Sequence, residues 1–177
     1  MNAIVVYESM YGNTRAIAEA IAEGLGGATV VPPSELPAEA AQADLLVVGG
    51  PTHAHAMASA CSRRAAVESA RGAAVAPGAA SGPALRDWLA ELAGEDRAYA
   101  AAFDTRINKP EWLTGAASHG MAKRLRRHGY TVLDTSSFLV AASEGPLVDG
   151  ELERARRWGA SLAAALPVPA ADAEVVP

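Results

Sequence analysis

Apolar runs of strand length alternate with helical patterns along the whole chain, and this alternation restricts the possible folds more than any other feature. Strands separated by helices indicate an α/β doubly wound fold with a five-stranded parallel sheet. The predicted strands are residues 3–7, 28–31, 45–48, 98–103 and a last strand over 130–133 and 136–141. The sequence leaves open whether this last strand is continuous or divided into two pieces. The predicted helices are residues 14–25, 38–42, 60–71, 83–94, 115–128 and 150–166.

Length and composition bound the class of protein. The 177 residues fit one domain, placed at residues 1–166, with a Pro- and Ala-containing tail over 167–177 that we expect to be disordered. The net charge of −5 disfavours nucleic-acid binding, and the single cysteine, Cys61, excludes an internal disulfide. Neither a signal peptide nor a long apolar run is visible, so we expect a cytoplasmic protein without a membrane span.

The turn between the first strand and the first helix has the composition of an anion site. Its residues Ser9 to Thr14 lead directly into the helix, whose first N–H groups lack intrahelical acceptors and point outward. Ser9, Asn13 and Thr14 can add side-chain hydrogen bonds, and Gly12 permits a positive φ. Neither a dinucleotide fingerprint nor a P-loop is present, so a monophosphate held mainly by neutral donors is expected. The alternative is an ordinary strand–helix turn with Thr14 as N-cap.

These residues resemble the signature with which the flavodoxin family binds the FMN phosphate. The order apolar-apolar-aromatic-x-Ser-x-x-Gly-x-Thr ends at Thr14, and Ala18 and Ile21 follow inside the helix. The resemblance implies strand order 2-1-3-4-5 and non-covalent FMN at the carboxyl edge of the sheet. The phosphate-loop residues it implies are Ser9, Met10, Tyr11, Gly12, Asn13 and Thr14.

Three functions are compatible with the resemblance. The first is electron transfer through FMN, with a flavin reductase or an electron acceptor as protein partner. The second is a small FMN-dependent NAD(P)H or quinone oxidoreductase, because the Ser-Met-Tyr-Gly loop is similar to that of flavodoxin-like NAD(P)H:quinone oxidoreductases. The third is a flavin-free interaction module that has kept the fold. No catalytic residue is assigned, no G-x-S-x-G elbow is present, and oligomerisation stays open.

A second loop follows the central apolar strand, which Gly49-Gly50-Pro51 is predicted to end. Its pattern resembles the loop that borders the ribityl chain and ring of the flavin, which implies contacts from Pro51, Thr52, His53 and His55. Two histidines alone do not make a zinc site, because no third ligand lies at a useful spacing. Solvated histidines are the alternative.

A third loop, from Phe103 to Gly115, is dense in functional side chains. The resemblance implies that it faces the other side of the flavin, and the expected contacts are Phe103, Asp104, Thr105, Arg106 and Trp112. The alternative, which we favour less, is that Asp104 starts a turn that Thr105 caps. The later stretch Phe138 to Gly150, which includes Ser143-Glu144-Gly145, also resembles small flavodoxin-like proteins.

Two further features have a structural and a functional interpretation. The basic cluster from Lys123 to His128 suits the C-terminal end of a helix dipole as a solvated face, or it could dock an acidic partner. Trp88 and Trp158 fall at helix-face positions and are predicted to be core residues.

Overall fold

The computed structural model describes residues 1–36, 43–53, 56–57, 84–92 and 99–167, with only the backbone described at His53 and Ala56. Its strands are β1 (Ala3–Tyr7), β2 (Thr29–Val31), β3 (Leu45–His53), β4 (Ala56–Met57), β5 (Tyr99–Ile107) and β6 (Thr131–Val140). Its helices are α1 (Asn13–Gly24), α2 (Leu85–Glu91), α3 (Glu111–Thr114), α4 (Ala117–Arg127) and α5 (Glu151–Ala165), with a 3₁₀ turn at Pro33–Glu35. The predicted helices at 38–42 and 60–71, Cys61, and the tail from residue 168 onward lie outside the described residues.

The sheet has the predicted doubly wound topology. Its order is β2-β1-β3-β5-β6 with every neighbouring pair parallel, so the five main strands follow the order 2-1-3-4-5. The two-residue strand β4 pairs antiparallel with the end of β3 and lies outside this path. The order reverses between β1 and β3, and ligands of such sheets bind at this switch, beyond the carboxyl ends of the strands.

Helices cover both faces of the sheet and define two cores. One core packs α1 and α5 against the sheet around Phe103, Phe138 and Trp158, and the other packs α2 and α4. The three aromatic rings meet edge to face with centroids 6.0–6.4 Å apart, which confirms Trp158 as a core residue. Trp88 is half-buried against the second core.

Two glycines let α1 and α5 approach closely. A Cβ on Gly24 would collide with the backbone carbonyl oxygen of Arg156, and one on Gly159 would collide with that of Ile21. Arg156 also pairs with Glu23 across the two helices, at 2.5 Å. These close contacts fix the position of α1 against α5. They therefore also fix the turn that precedes α1, where the sequence predicts an anion site.

Strands β3 and β5 both extend beyond the ends predicted from their apolar runs, at residues 48 and 103. The expectation that Gly49-Gly50-Pro51 ends β3 is wrong, because Gly50 and Pro51 continue the register against Asp104 and Thr105 of β5. Pro51 is tolerated there because β1 has already ended at Tyr7, so this part of β3 is paired on one side only.

The last strand is one piece rather than two. The register of β6 against β5 shifts between Ala100 and Ala101, which pair with Val132 and Asp134 and leave Leu133 as a bulge. In the part of the chain that the structure describes, no helix is long and apolar enough to cross a membrane.

Candidate functional site

A cleft of about 210 Å³ opens at the carboxyl edge of the sheet, beside the topological switch. It lies among the ends of β1, β3, β5 and β6 and the start of α1. Its lining residues are Ser9, Met10, Tyr11, Asn13, Thr14, Pro51, Thr52, Thr105, Arg106, Ile107, Val140 and Ser143. The structure therefore brings together side chains that the sequence places in three separate loops.

The start of α1 has unsatisfied backbone donors at this cleft. Gly12 is the N-cap residue with φ of 87°, so the alternative that Thr14 is the N-cap is wrong. The Ser9 hydroxyl oxygen accepts the Gly12 N–H at 3.1 Å, and the first intrahelical bond runs from the Ala16 N–H to the Gly12 carbonyl at 3.0 Å. The N–H groups of residues 13–15 consequently have no acceptor within the helix. No side chain caps them and no acidic residue lies in the first turn, so this helix end can accept an anion.

Side-chain hydrogen bonds connect the start of α1 to two other loops. The hydroxyl oxygens of Thr14 and Thr105 lie 2.7 Å apart in a buried contact that joins α1 to the end of β5. The Asn13 amide nitrogen donates to the Glu144 carbonyl at 3.0 Å. Gly145 follows with φ of 109°, and a Cβ there would lie 2.8 Å from the Asn13 amide. These contacts fix the position of the anion-binding turn within the cleft.

Two predicted ligand contacts instead support helix α4. Thr52 Oγ1 accepts the Ala117 N–H at 2.9 Å, and Asp104 Oδ2 accepts the Ser118 N–H at 2.8 Å. Both satisfy orphan donors in the first turn of α4. Thr52 still lines the cleft, whereas Asp104 is fully buried on the α4 side of the sheet. Burial raises the pKa of the Asp104 carboxyl above its ordinary value of 3.8, against hydrogen bonds from Ser118 and Ser137 and the charge of Arg106, which lower it.

Arg106 is the cationic residue of the cleft lining. Its Nη1 donates to the Lys109 carbonyl at 2.6 Å and lies 3.4 Å from Thr114 Oγ1, so it holds the turn that leads into α3. Its Nε is buried and has no hydrogen-bond partner. A buried guanidinium N–H without an acceptor is costly, and an anionic or carbonyl group in the cleft would satisfy it.

Phe103 and Trp112 do not line the cleft, contrary to the expectation for both. Phe103 shares the face of β5 with Thr105 but lies one strand repeat deeper, where it is fully buried in the core. Trp112 projects from α3 into solvent and is 82% exposed.

The structure does not test the prediction that His53 and His55 contact the flavin. His53 ends β3, but its side chain is outside the description, and His55 lies outside the described residues altogether. Within the described ranges, no group of three or more His, Cys, Asp and Glu side chains is arranged to hold a metal ion.

Several residues of the site were not predicted individually from the sequence. Ile107, Val140 and Ser143 line the cleft, and Ser143 falls in the 138–150 stretch whose resemblance pointed to this region. Glu8 is buried next to the turn, and its carboxylate accepts the Leu85 N–H at the start of α2, at 2.7 Å. A charged residue directly after an apolar strand was the available signal for Glu8.

Known proteins share this architecture. The flavodoxin family model matches residues 5–60, which include the turn at the start of α1. A flavodoxin from the domain Archaea is 22% identical, with 93% of this chain and 97% of that chain covered and a TM-score of 0.59. Flavodoxin 1 from Bacillus cereus is 17% identical, with coverages of 94% and 100% and a TM-score of 0.63.

A flavodoxin, WrbA-like protein from Agrobacterium tumefaciens is also similar, at 22% identity, coverages of 92% and 95%, and a TM-score of 0.54. No curated protein matches the sequence. The family match over the first strands and the structural likeness over almost the whole chain agree with the sheet order. The chain therefore has a flavodoxin-like fold.

Proposed function

We propose that the cleft binds FMN non-covalently, with the phosphate at the start of α1, and that the protein transfers electrons through this flavin. The observation that carries the proposal is the uncapped first turn of α1, which opens onto the cleft and itself contains no acidic residue. Backbone N–H groups and the positive end of the helix dipole favour a phosphate there.

The donor set fits a single phosphate on an uncharged ribityl chain. Around the turn, the available side-chain groups are the hydroxyls of Ser9 and Thr14 and the amide of Asn13, all neutral. Across the cleft, the unpartnered Nε of Arg106 can donate to an oxygen of the flavin. Met10, Pro51 and Ile107 supply apolar surface for the remainder of the ligand.

The flavin, when bound, supplies the redox chemistry, and the protein supplies binding and orientation. Residues of the α1 turn would hold the phosphate, and Arg106 at the end of β5 would orient another part of the ligand. The hydrogen bond between Thr14 and Thr105 joins the phosphate turn to the strand that carries Arg106.

The test compares FMN with riboflavin, which lacks the phosphate, in fluorescence-quenching titrations. The proposal predicts that FMN binds at least about tenfold more tightly, because charge-assisted hydrogen bonds are strong. Asn13→Asp places a carboxylate at the start of α1 and should weaken FMN binding about tenfold or more. It also removes the donor to the Glu144 carbonyl, so riboflavin binding should weaken as well, but by a smaller factor than FMN binding. Asn2→Asp makes the same charge change at the opposite edge of the sheet and should alter neither affinity.

Equal affinities for FMN and riboflavin would contradict the phosphate site. Oxidation of NADPH by the purified FMN-loaded protein with a quinone acceptor would support the alternative of a self-sufficient oxidoreductase.

A further inference from the structure

A basic and apolar surface lies beside the cleft on helices α3 and α4. Residues 109–127 contain five cationic side chains and one carboxylate, in a chain whose net charge is −5. We call this the α3–α4 surface, and we define it by the exposed residues Lys109, Trp112, Leu113, Lys123, Arg126 and Arg127.

The surface is continuous across the two helices. His119 Nδ1 lies 3.5 Å from Glu111 Oε1, so the start of α3 contacts the first turns of α4. Lys123 and Arg127 follow His119 at intervals of four residues along the same face of α4. Trp112 follows Glu111 in α3, so the exposed indole belongs to the short helix that contacts the first turn of α4.

These cations are not compensated within the part of the chain that the structure describes. No described carboxylate forms an ion pair with Lys123, Arg124, Arg126 or Arg127. Burial lowers the pKa of Arg124, and repulsion from Arg86 of α2 and from Arg127 lowers it further. The helix dipole explains a preference for cations in the last turn of α4, but it does not explain a repulsive cluster that extends to another helix.

Apolar exposure on the same surface is unusually large. Trp112 is 82% exposed and Leu113 is 47% exposed. Tryptophan and arginine are the residues most enriched among those that dominate binding energy at protein interfaces. An exposed indole on the same surface as arginines and lysines that pair with no described carboxylate fits the composition of a docking site for a protein with complementary negative charge.

Contacts of Arg106 connect the α3–α4 surface to the cleft. Arg106, which lines the cleft, donates to the carbonyl of Lys109 and lies within hydrogen-bond distance of Thr114, at the two ends of the segment that carries Trp112. A partner seated on the α3–α4 surface would therefore lie next to whatever the cleft holds.

We infer that the α3–α4 surface docks an acidic redox protein, with Trp112 as apolar anchor and Lys123, Arg126 and Arg127 as the charged contacts. This inference rests on the proposed function for the redox character of the partner. A protein is favoured over nucleic acid because this cationic cluster is confined to the α3–α4 surface. An extended polyanion would reach past it, where the net negative charge of the chain repels it, whereas a compact acidic protein can dock within it.

The experiment measures the affinity of the FMN-loaded protein for a plant-type [2Fe–2S] ferredoxin, used as an acidic one-electron carrier, by titration calorimetry. At about 20 mM salt we expect binding that weakens at least about tenfold at about 200 mM, because exposed charges are screened. Arg126→Glu should lower the low-salt affinity about tenfold, and Trp112→Ala should lower it about thirtyfold.

Arg157→Glu is the matched control, because Arg157 is an exposed arginine on α5, across the sheet from α4. Arg157→Glu should change the affinity for ferredoxin less than twofold, because a substitution far from the docking surface is not coupled to it. All variants should retain the wild-type thermal midpoint and FMN affinity. The inference is overturned if wild-type protein does not bind ferredoxin at low salt, or if Arg157→Glu weakens binding as much as Arg126→Glu.

Two further results would overturn it. One is tighter binding of single-stranded RNA than of ferredoxin, and the other is a loss of FMN affinity in Trp112→Ala in parallel with the loss of docking. Because FMN loading is measured by absorption in each sample, failure of docking with FMN bound is distinguishable from failure of the proposed function.

Discussion

The buried hydroxyl pair of Thr14 and Thr105 provides a quantitative test of how the site is held together. The two oxygens lie 2.7 Å apart, and the residues are 2% and 5% exposed. Valine keeps the shape of threonine but removes the hydroxyl, so either single variant leaves the other hydroxyl buried with no partner. Such a group costs about 1–3 kcal/mol, and we expect each single variant to lose that much unfolding free energy.

Replacing both residues should be much less harmful than the sum of the single variants. The double variant Thr14→Val/Thr105→Val removes donor and acceptor together, which can be close to neutral. We therefore expect an interaction energy of about 1–3 kcal/mol in a double-mutant cycle. The assay is urea unfolding of flavin-free protein followed by circular dichroism, with thermal shifts of about 2–4 °C per kcal/mol as a second measurement.

The exposed Thr29 in β2 offers a matched control for this cycle. Thr29→Val makes the same chemical change without a buried partner and should alter stability by less than about 0.5 kcal/mol. Additive losses in the cycle, with the double variant as destabilised as the two single variants combined, would refute the hydrogen bond as the link between α1 and β5.

Three further predictions concern the cleft and its supports. Gly12→Ala should cost about 1–2 kcal/mol of unfolding free energy because φ is 87°. Gly120→Ala should gain about 0.5–1 kcal/mol in the same urea assay, because Gly120 is helical and a Cβ there would only make van der Waals contact, at 3.8 Å, with Arg124 and Met57. Asp104 keeps its proton to higher pH when folded, so wild-type stability should fall as pH rises through the window above 3.8. Asp104→Asn, which keeps an acceptor for α4, should flatten this dependence and be at least as stable at neutral pH; a steep loss would contradict the role of burial. Arg106→Gln should lower FMN affinity about tenfold in fluorescence titrations, and an unchanged affinity would exclude Arg106 from the site.

The architecture could be predicted because its determinants are local. Apolar runs and helical periodicity mark most elements, and the turn from Ser9 to Thr14 indicated where the cleft would lie. Strand ends were less predictable. The sequence Gly49-Gly50-Pro51 has turn composition, but pairing with β5 keeps it in register, and that partner lies some fifty residues further along the chain.

The roles of individual side chains depended on contacts that the sequence does not show. Asp104 was predicted to contact the ligand, but it is fully buried and accepts the N–H of Ser118. Thr52 lines the cleft as predicted and also accepts the N–H of Ala117, which is distant in sequence. Phe103 and Thr105 differ only in depth along one face of β5, and the point at which the core ends decides which of them reaches the cleft.

The central claim, that the cleft binds FMN at the start of α1, is tested most directly by the absorption spectrum of purified protein that has been mixed with FMN and separated from free flavin by gel filtration. The account predicts a yellow protein that elutes with close to one equivalent of FMN and with shifted flavin bands. A colourless protein peak, with all the flavin in the small-molecule fraction, would contradict it.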